Sequence, residues 1–294
     1  MRALEAYAAR LHDPADLSAA DDFCARLAAA RRGEFNLVRR FASRSRRRHL
    51  AALYAFARIA RDIVEDPEHE GARPQRLEDW RRQVRGLDGA PPEHPVFTAL
   101  GRTVRELSLP TALLEDIIDA CLQDTRHHRY ATYDELLGLC RRAADPLGRL
   151  VLMIHGYREE GVFRYSDALC TALFLTRLWR DLALDLKRDR VYLPEEDFKA
   201  FGYSEADLRM GVCNEKFREL MKFEVNRTRA LFEQARPLFE KLRKPFAWQV
   251  RLTWYGGRET LRQIRKLGFD TITHRPLLRG WDWLPLMLRT VLKP

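Results

Sequence analysis

An all-α fold is what this sequence predicts, on three observations. Ala, Leu, Arg and Glu, all good helix formers, are abundant among its 294 residues. Alternating β-branched runs bounded by Asn-Gly or Asp-Gly turns are scarce. Residues 47–66 place Leu50, Leu53, Tyr54, Ala57 and Ile63 on one side of a single amphipathic helix.

The elements follow in order. Asp16 and Ser18 precede DDFCARLAAARR as a capped helix start. After the helix at 47–66, further helices are expected at 77–85, 96–107, 112–122, 133–142, 147–155, 167–188, 215–239, 246–267 and 284–291. Breaks fall at 67–74, at the GAPPEHP stretch of 89–95, near 188–194 and at 242–245. All are too short for interdomain linkers. No internal repeat is visible, so residues 1–294 read as one domain of about ten helices, with a ligand cavity between them.

Composition excludes several classes. With 46% apolar and 10% aromatic residues the chain is neither disordered nor fibrous. Cys24, Cys121, Cys140, Cys170 and Cys213 are odd in number and contain no CxxC pair, which argues against a disulfide framework and a zinc module. A reducing cytoplasm is expected. The first residues, MRALEAYAARLHD, lack an export signature, and the greasiest stretch, 168–176, is interrupted by Arg177, Arg180 and Asp181 before it could span a bilayer. A net charge of +10 from 52 Lys+Arg against 42 Asp+Glu asks for an anionic partner. The RSRRRH cluster at 44–49 permits nucleic acid, but no helix-turn-helix or RNA motif accompanies it.

Two segments carry candidate chemistry. In LTRLWRDLALDLKRDRVYLPEED, Asp181 and Asp185 lie four apart and so share a helix face. Paired carboxylates suit a hard cation such as Mg²⁺, which completes its shell with water and phosphate oxygens. Arg180, Arg188 and Arg190 add guanidinium forks matched to phosphate. In YAFARIARDIVEDPE, Asp62, Glu65 and Asp66 fall at i, i+3 and i+4. Facing each other across a bundle, two such helices would cage a pyrophosphate leaving group and help a C–O bond ionise. Either motif alone also fits ordinary surface charge paired with Arg58, Arg61 or Arg180. His127 and His128 are adjacent and point to different faces, Cys140 has no base beside it, and no Gly-rich nucleotide loop, GxSxG or HExxH is present.

Four segments, in order, resemble the squalene/phytoene synthase family over nearly the whole chain. They are AALYAFARIARDIVED from Ala51, QDTRHHRYATYDELLGLCRRAADPLGRLVL from Gln123, LFLTRLWRDLALDLKRDRVYLPEED from Leu173 and VRLTWYGGRETLRQIRKLGFDTITHRP from Val250. Within that family the chain looks most like the hydroxysqualene-forming enzymes of bacterial hopanoid synthesis. The resemblance implies an isoprenoid-synthase helical bundle with a central cavity. It also implies Mg²⁺ held by Asp62, Glu65, Asp66, Asp181 and Asp185, four of these (Asp62, Asp66, Asp181 and Asp185) being catalytic. Tyr54, Arg58, Arg180 and Arg190 would bind the diphosphate, and Phe56, Leu139, Leu147 and Gly148 would line the cavity and shield a carbocation. The expected reaction turns presqualene diphosphate and water into hydroxysqualene and pyrophosphate, without NADPH and in cooperation with a presqualene diphosphate synthase. Head-to-head condensation of two farnesyl diphosphates, or a non-catalytic scaffold, are the alternatives.

The chain departs from the family pattern at three places. Arg61 stands where the family has its first aspartate and Glu65 where it has the last, Arg177 replaces an asparagine, and Leu139 replaces a tyrosine. Arg61 and Arg177 could take over part of the diphosphate charge from a metal, or Arg61 could simply pair with Glu65 at i+4. At the C-terminus RGWDWLPLMLRTVLKP, residues 279–294, has the composition of an interfacial segment in peripheral contact with a membrane; docking on the protein's own core is the competing reading.

Overall fold

Asp16 opens the described chain as a helix cap: its Oδ1 accepts from the backbone N–H of Ser18 at 2.8 Å and of Ala19 at 3.2 Å. The structure, a computed structural model, describes residues 16–30 and 43–292, and all regular structure among them is helical. Contacts group the chain into two compact units, Met1–Arg126 with Pro146–Glu159, and His127–Asp145 with Glu160–Pro294.

The first unit holds α1 (Leu17–Ala30), α2 (Arg44–Glu65), α3 (Arg73–Arg85), α4 (Pro95–Leu107), α5 (Ala112–Asp124) and nearly all of α7 (Asp145–Ile154). Along α2 the predicted stripe is the buried one: Leu50, Leu53 and Ile63 are buried, and Tyr54 and Ala57 pack partly against the same core. Phe56 stacks on Trp80 with ring centroids 6.2 Å apart and meets Phe97 edge-on at 6.3 Å. His94 caps α4 by accepting from Val96 N–H at 3.2 Å, and burial pulls its imidazole down to about 4. A neutral ring is what that cap requires, because imidazolium has no acceptor.

The second unit is built on α8 (Glu160–Leu186), preceded by α6 (Tyr133–Ala143) and packed against α11 (Glu215–Gln234) and α13 (Phe246–Lys266). Short α9 (Glu195–Ala200), α10 (Glu205–Arg209) and α12 (Leu238–Lys241) fill the connections, and α14 (Trp283–Leu292) closes the described chain. Trp179 Nε1 donates to Thr228 Oγ1 at 2.9 Å, tying α8 to α11, and Trp254 Nε1 donates to the Phe232 carbonyl at 2.7 Å, tying α13 to α11. A Cβ built on Gly257 would lie 2.5 Å from Phe232 Cζ and 2.8 Å from Leu173 Cδ2, so only glycine lets the three helices approach this closely.

Two boundaries differ from expectation by five residues or more. Helix α8 begins at Glu160 because Val162, Phe163 and Ser166 are buried, and packing carries the helix through a weak Gly161 start. The single helix expected over 215–239 ends at Gln234, since Pro237 lacks an N–H and disfavours helix before it.

Candidate active site

In the first unit the acid motif lies on the last turns of α2 and is already neutralised by arginines. Asp62 is buried and its Oδ1 pairs with Arg58 NH2 one turn earlier. Arg61 Nε donates to Glu65 Oε1 at 2.6 Å, and its NH1 lies 3.7 Å from Oδ2 of Asp124 at the end of α5. The i+4 pairing of Arg61 with Glu65, one of the two alternatives, is therefore present, and a second carboxylate joins it. Asp66 falls one residue past the helix end, where its backbone is extended and its Oδ1 accepts from Glu68 N–H at 3.0 Å. It caps the short 3₁₀ turn Pro67–His69 instead of continuing the face of Asp62. Phe56 has 0% exposure and sits in the core of this unit, which leaves it no surface with which to line a cavity. Tyr54 is half-buried, Leu147 packs partly on the same core, and Gly148 is half-buried on α7.

The second unit carries the D-x-x-x-D pair on the last turns of α8. Asp181 and Asp185 are both buried, at 7% and 3% exposure. Arg180 holds Asp181 bidentately, Nε to Oδ1 at 2.9 Å and NH2 to Oδ2 at 2.7 Å, while Arg275 Nε donates to Oδ1 at 2.8 Å. Burial alone would raise the Asp181 carboxyl, but the two guanidiniums outweigh it and hold it at about 2. After the helix, the N–H groups of Arg188 and Arg190 return to the Asp185 carbonyl at 2.9 and 3.0 Å. That turn, with Asp189 at φ +57°, folds Arg190 inward to 4% exposure.

The extended segment beyond it is fixed by the HRYA stretch: Val191 N–H donates to His128 O, Glu195 N–H to Tyr130 O and Glu196 N–H to Ala131 O, at 2.9–3.1 Å. Arg129 pins the same turn through Asp189 and Glu205. Leu139 and Cys140 on α6 are buried, and burial pushes the Cys140 thiol up, consistent with an inert small hydrophobe. Asp145 accepts from Thr171 Oγ1 at 2.9 Å and so anchors α8 as well as starting α7.

Oxygen donors in pairs fit a hard divalent ion that takes the rest of its shell from water and phosphate. Asp181 and Asp185 supply such a pair one helical turn apart. Among the described residues no three His, Cys, Asp or Glu side chains converge into a closed metal cage, so a metal here would depend on outside oxygens. Sequence spacing missed Asp124 and Arg275 at the two acid motifs, and Asp197 at Arg227 elsewhere in the second unit, because each reaches its partner across the fold. Arg227 bridges Glu224 at 2.5 Å and Asp197 at 2.5 Å and lies 3.5 Å from the Tyr133 ring centroid.

The family model described as squalene/phytoene synthase matches residues 28–282. The chain belongs to the squalene/phytoene synthase family. Members are prenyl-transferring isoprenoid synthases that act on prenyl diphosphates with the help of a divalent metal, and membership makes this chain an enzyme of isoprenoid synthesis. It is 28% identical to a phytoene synthase from Arthrospira platensis over 284 residues, covering 92% of each chain. It is 30% identical to a 15-cis-phytoene synthase from Synechocystis over 248 residues, 80% of this chain and 74% of the relative. Among solved structures, squalene synthase HpnC from Alicyclobacillus acidocaldarius superposes with a TM-score of 0.82 at 32% identity, covering 87% of this chain and 96% of the other. A dehydrosqualene synthase superposes at 0.84 with 21% identity, which shows the shared fold. Among the described residues no helix is long and apolar enough to cross a membrane.

Proposed function

We propose that this synthase ionises presqualene diphosphate and delivers water to the resulting carbocation, releasing hydroxysqualene and pyrophosphate. The C–O bond to the diphosphate breaks with its electron pair leaving on pyrophosphate, the water oxygen bonds to the carbocation, and one proton passes to solvent. The observation that carries this reading is the first acid motif. Arg58 and Arg61 compensate its carboxylates from within, which suits one diphosphate better than the two that a condensation must hold. The likeness to the squalene synthase HpnC at 32% identity supports squalene-type chemistry, whereas the phytoene synthase relatives favour condensation of two prenyl diphosphates as the second reading.

Asp181 with Asp185, and separately Asp62 with Glu65, would each offer a pair of carboxylates to Mg²⁺; bound at such a pair, the ion would neutralise charge developing on the departing diphosphate. The chain's own groups do the rest. Arg180 and Arg58 bind phosphate oxygens once released from or shared with Asp181 and Asp62 respectively, and Arg190, folded inward after α8, offers a further guanidinium. In the first unit the half-buried Leu147 and Gly148 would offer apolar surface that delays capture of the cation, whereas Leu139, like Phe56, is buried in packing. Asp66 belongs to the metal set only if the 3₁₀ cap at Glu68 opens.

Purified protein with Mg²⁺ should release pyrophosphate and form hydroxysqualene from presqualene diphosphate, and leave farnesyl diphosphate untouched. Squalene, phytoene or presqualene diphosphate made from farnesyl diphosphate would select the condensation instead. Binding of either substrate without turnover would mark a scaffold. Asp181→Asn should abolish pyrophosphate release with the fold retained, and full activity in that variant would remove the metal assignment.

A further inference from the structure

A cavity of about 1020 Å³ in the second unit takes no part in the chemistry above. Its walls come from α11, α13 and α14, and they carry nine Arg or Lys side chains against four Glu. Some of that charge is compensated locally, Arg258 by Glu233, Arg262 by Glu259 and Lys222 by Glu219. Arg229, Arg236, Arg265 and Arg289 are not; they line the cavity and make no ion pair among the described residues. Unpaired guanidiniums gathered on a concave surface create a positive potential that draws anions.

The neighbouring helix has the opposite character. Helix α14 turns Leu286 and Thr290 inward and lays Trp283 against Gly256, but leaves Leu284, Met287 and Leu288 exposed on the other side. Leu277 and Trp281 extend the apolar surface, so five of the nine exposed large hydrophobics in the described chain lie within twelve residues. Arg289 belongs to α14 and to the cavity wall at once, which joins the two surfaces.

We infer that this face docks the protein on an acidic lipid bilayer, with anionic headgroups among the unpaired arginines of the cavity and the apolar side chains of α14 in the acyl boundary. An aromatic and aliphatic stripe flanked by basic residues is the pattern of an interfacial helix. Charge selects the occupant. A second copy of this chain would bring a net charge of +10 toward the same arginines, whereas an acidic leaflet complements them.

Flotation with phosphatidylcholine vesicles, with and without phosphatidylglycerol, tests the inference. The full chain should bind only the acidic vesicles, and binding should fall as salt rises. The variants are Trp281→Ser/Leu284→Ser/Leu288→Ser and Arg229→Gln/Arg236→Gln/Arg289→Gln, all at exposed positions, with circular dichroism confirming their folds. Each basic residue near an acidic surface contributes about fivefold to partitioning, so the arginine triple should weaken binding by about a hundredfold. The apolar triple should weaken it by at least about tenfold. Equal binding to both vesicle types, no binding to either, or full binding by both variants would overturn the inference. So would inorganic pyrophosphate binding at these arginines without any vesicle binding. A dimer in solution that the apolar triple dissociates, again without vesicle binding, would assign the face to a second copy.

Discussion

Replacing Arg275 with Ala tests whether the two guanidiniums on Asp181 do the same job. Arg180 grips that carboxylate bidentately, while Arg275 adds one bond at 2.8 Å from a side chain that is 41% exposed. Removing Arg275 leaves Asp181 paired, so the cost should stay below about 1 kcal/mol, as for a half-exposed ion pair. The ~3–5 kcal/mol penalty of an orphaned buried charge should not appear. The melting temperature should therefore fall by no more than about 2–4 °C. Metal affinity should move the other way. A cation entering at Asp181 must displace Arg275 or share the oxygen with it, and opposing a divalent ion across one carboxylate costs on the order of 1 kcal/mol even with water-like screening. Titration calorimetry of Mg²⁺ into substrate-free Arg275→Ala should show binding tightened about fivefold to tenfold. An affinity unchanged within about twofold would refute the competition, and a stability loss of several kcal/mol would refute the claim that Arg180 suffices.

Three further outcomes follow from the same geometry. Asp185→Asn should lower kcat for pyrophosphate release by at least about a hundredfold, the usual loss when one electrostatic contributor at a reacting centre is removed, with an unchanged far-UV spectrum. Gly257→Ala should gain about 1 kcal/mol of helix propensity yet lose about 1–3 kcal/mol by forcing Phe232 and Leu173 apart, so a melting temperature above wild type would contradict the close helix crossing. Burial pushes the Glu224 carboxyl from 4.5 up to about 8, against the pull of Arg227. Between those values the folded chain holds more protons than the unfolded one, so the Glu224 contribution to stability is full below 4.5 and fades as pH rises toward about 8. Subtracting the pH profile of Glu224→Gln melting from that of wild type should show this decline, and a flat difference would rule it out.

Local signals were legible where chemistry and neighbours coincide along the chain. Asp16 caps a helix because its side chain meets the next N–H groups, and the stripe of α2 is buried as its spacing requires. The pair Asp181 and Asp185 was equally readable, since a helix fixes their separation. The helix expected through Asp66 ends at Glu65, because a carboxylate in front of Pro67 gains more from capping the next turn than from continuing α2. The family resemblance implies a cavity role for Phe56, but its partners Trp80 and Phe97 come from α3 and α4, which no local pattern announces.

The sequence by itself determined the helical class, the family and the two acid motifs, because each is a matter of periodicity or of residues a few positions apart. Only the tertiary structure decided how those charges are spent. Arg61 meets Asp124 on α5, Asp181 meets Arg275 ninety-four positions away, and four arginines with no ion pair among the described residues gather around one cavity. An ion pair depends on distance in space, and the chain's one-dimensional order carries no measure of that distance until helix packing sets it.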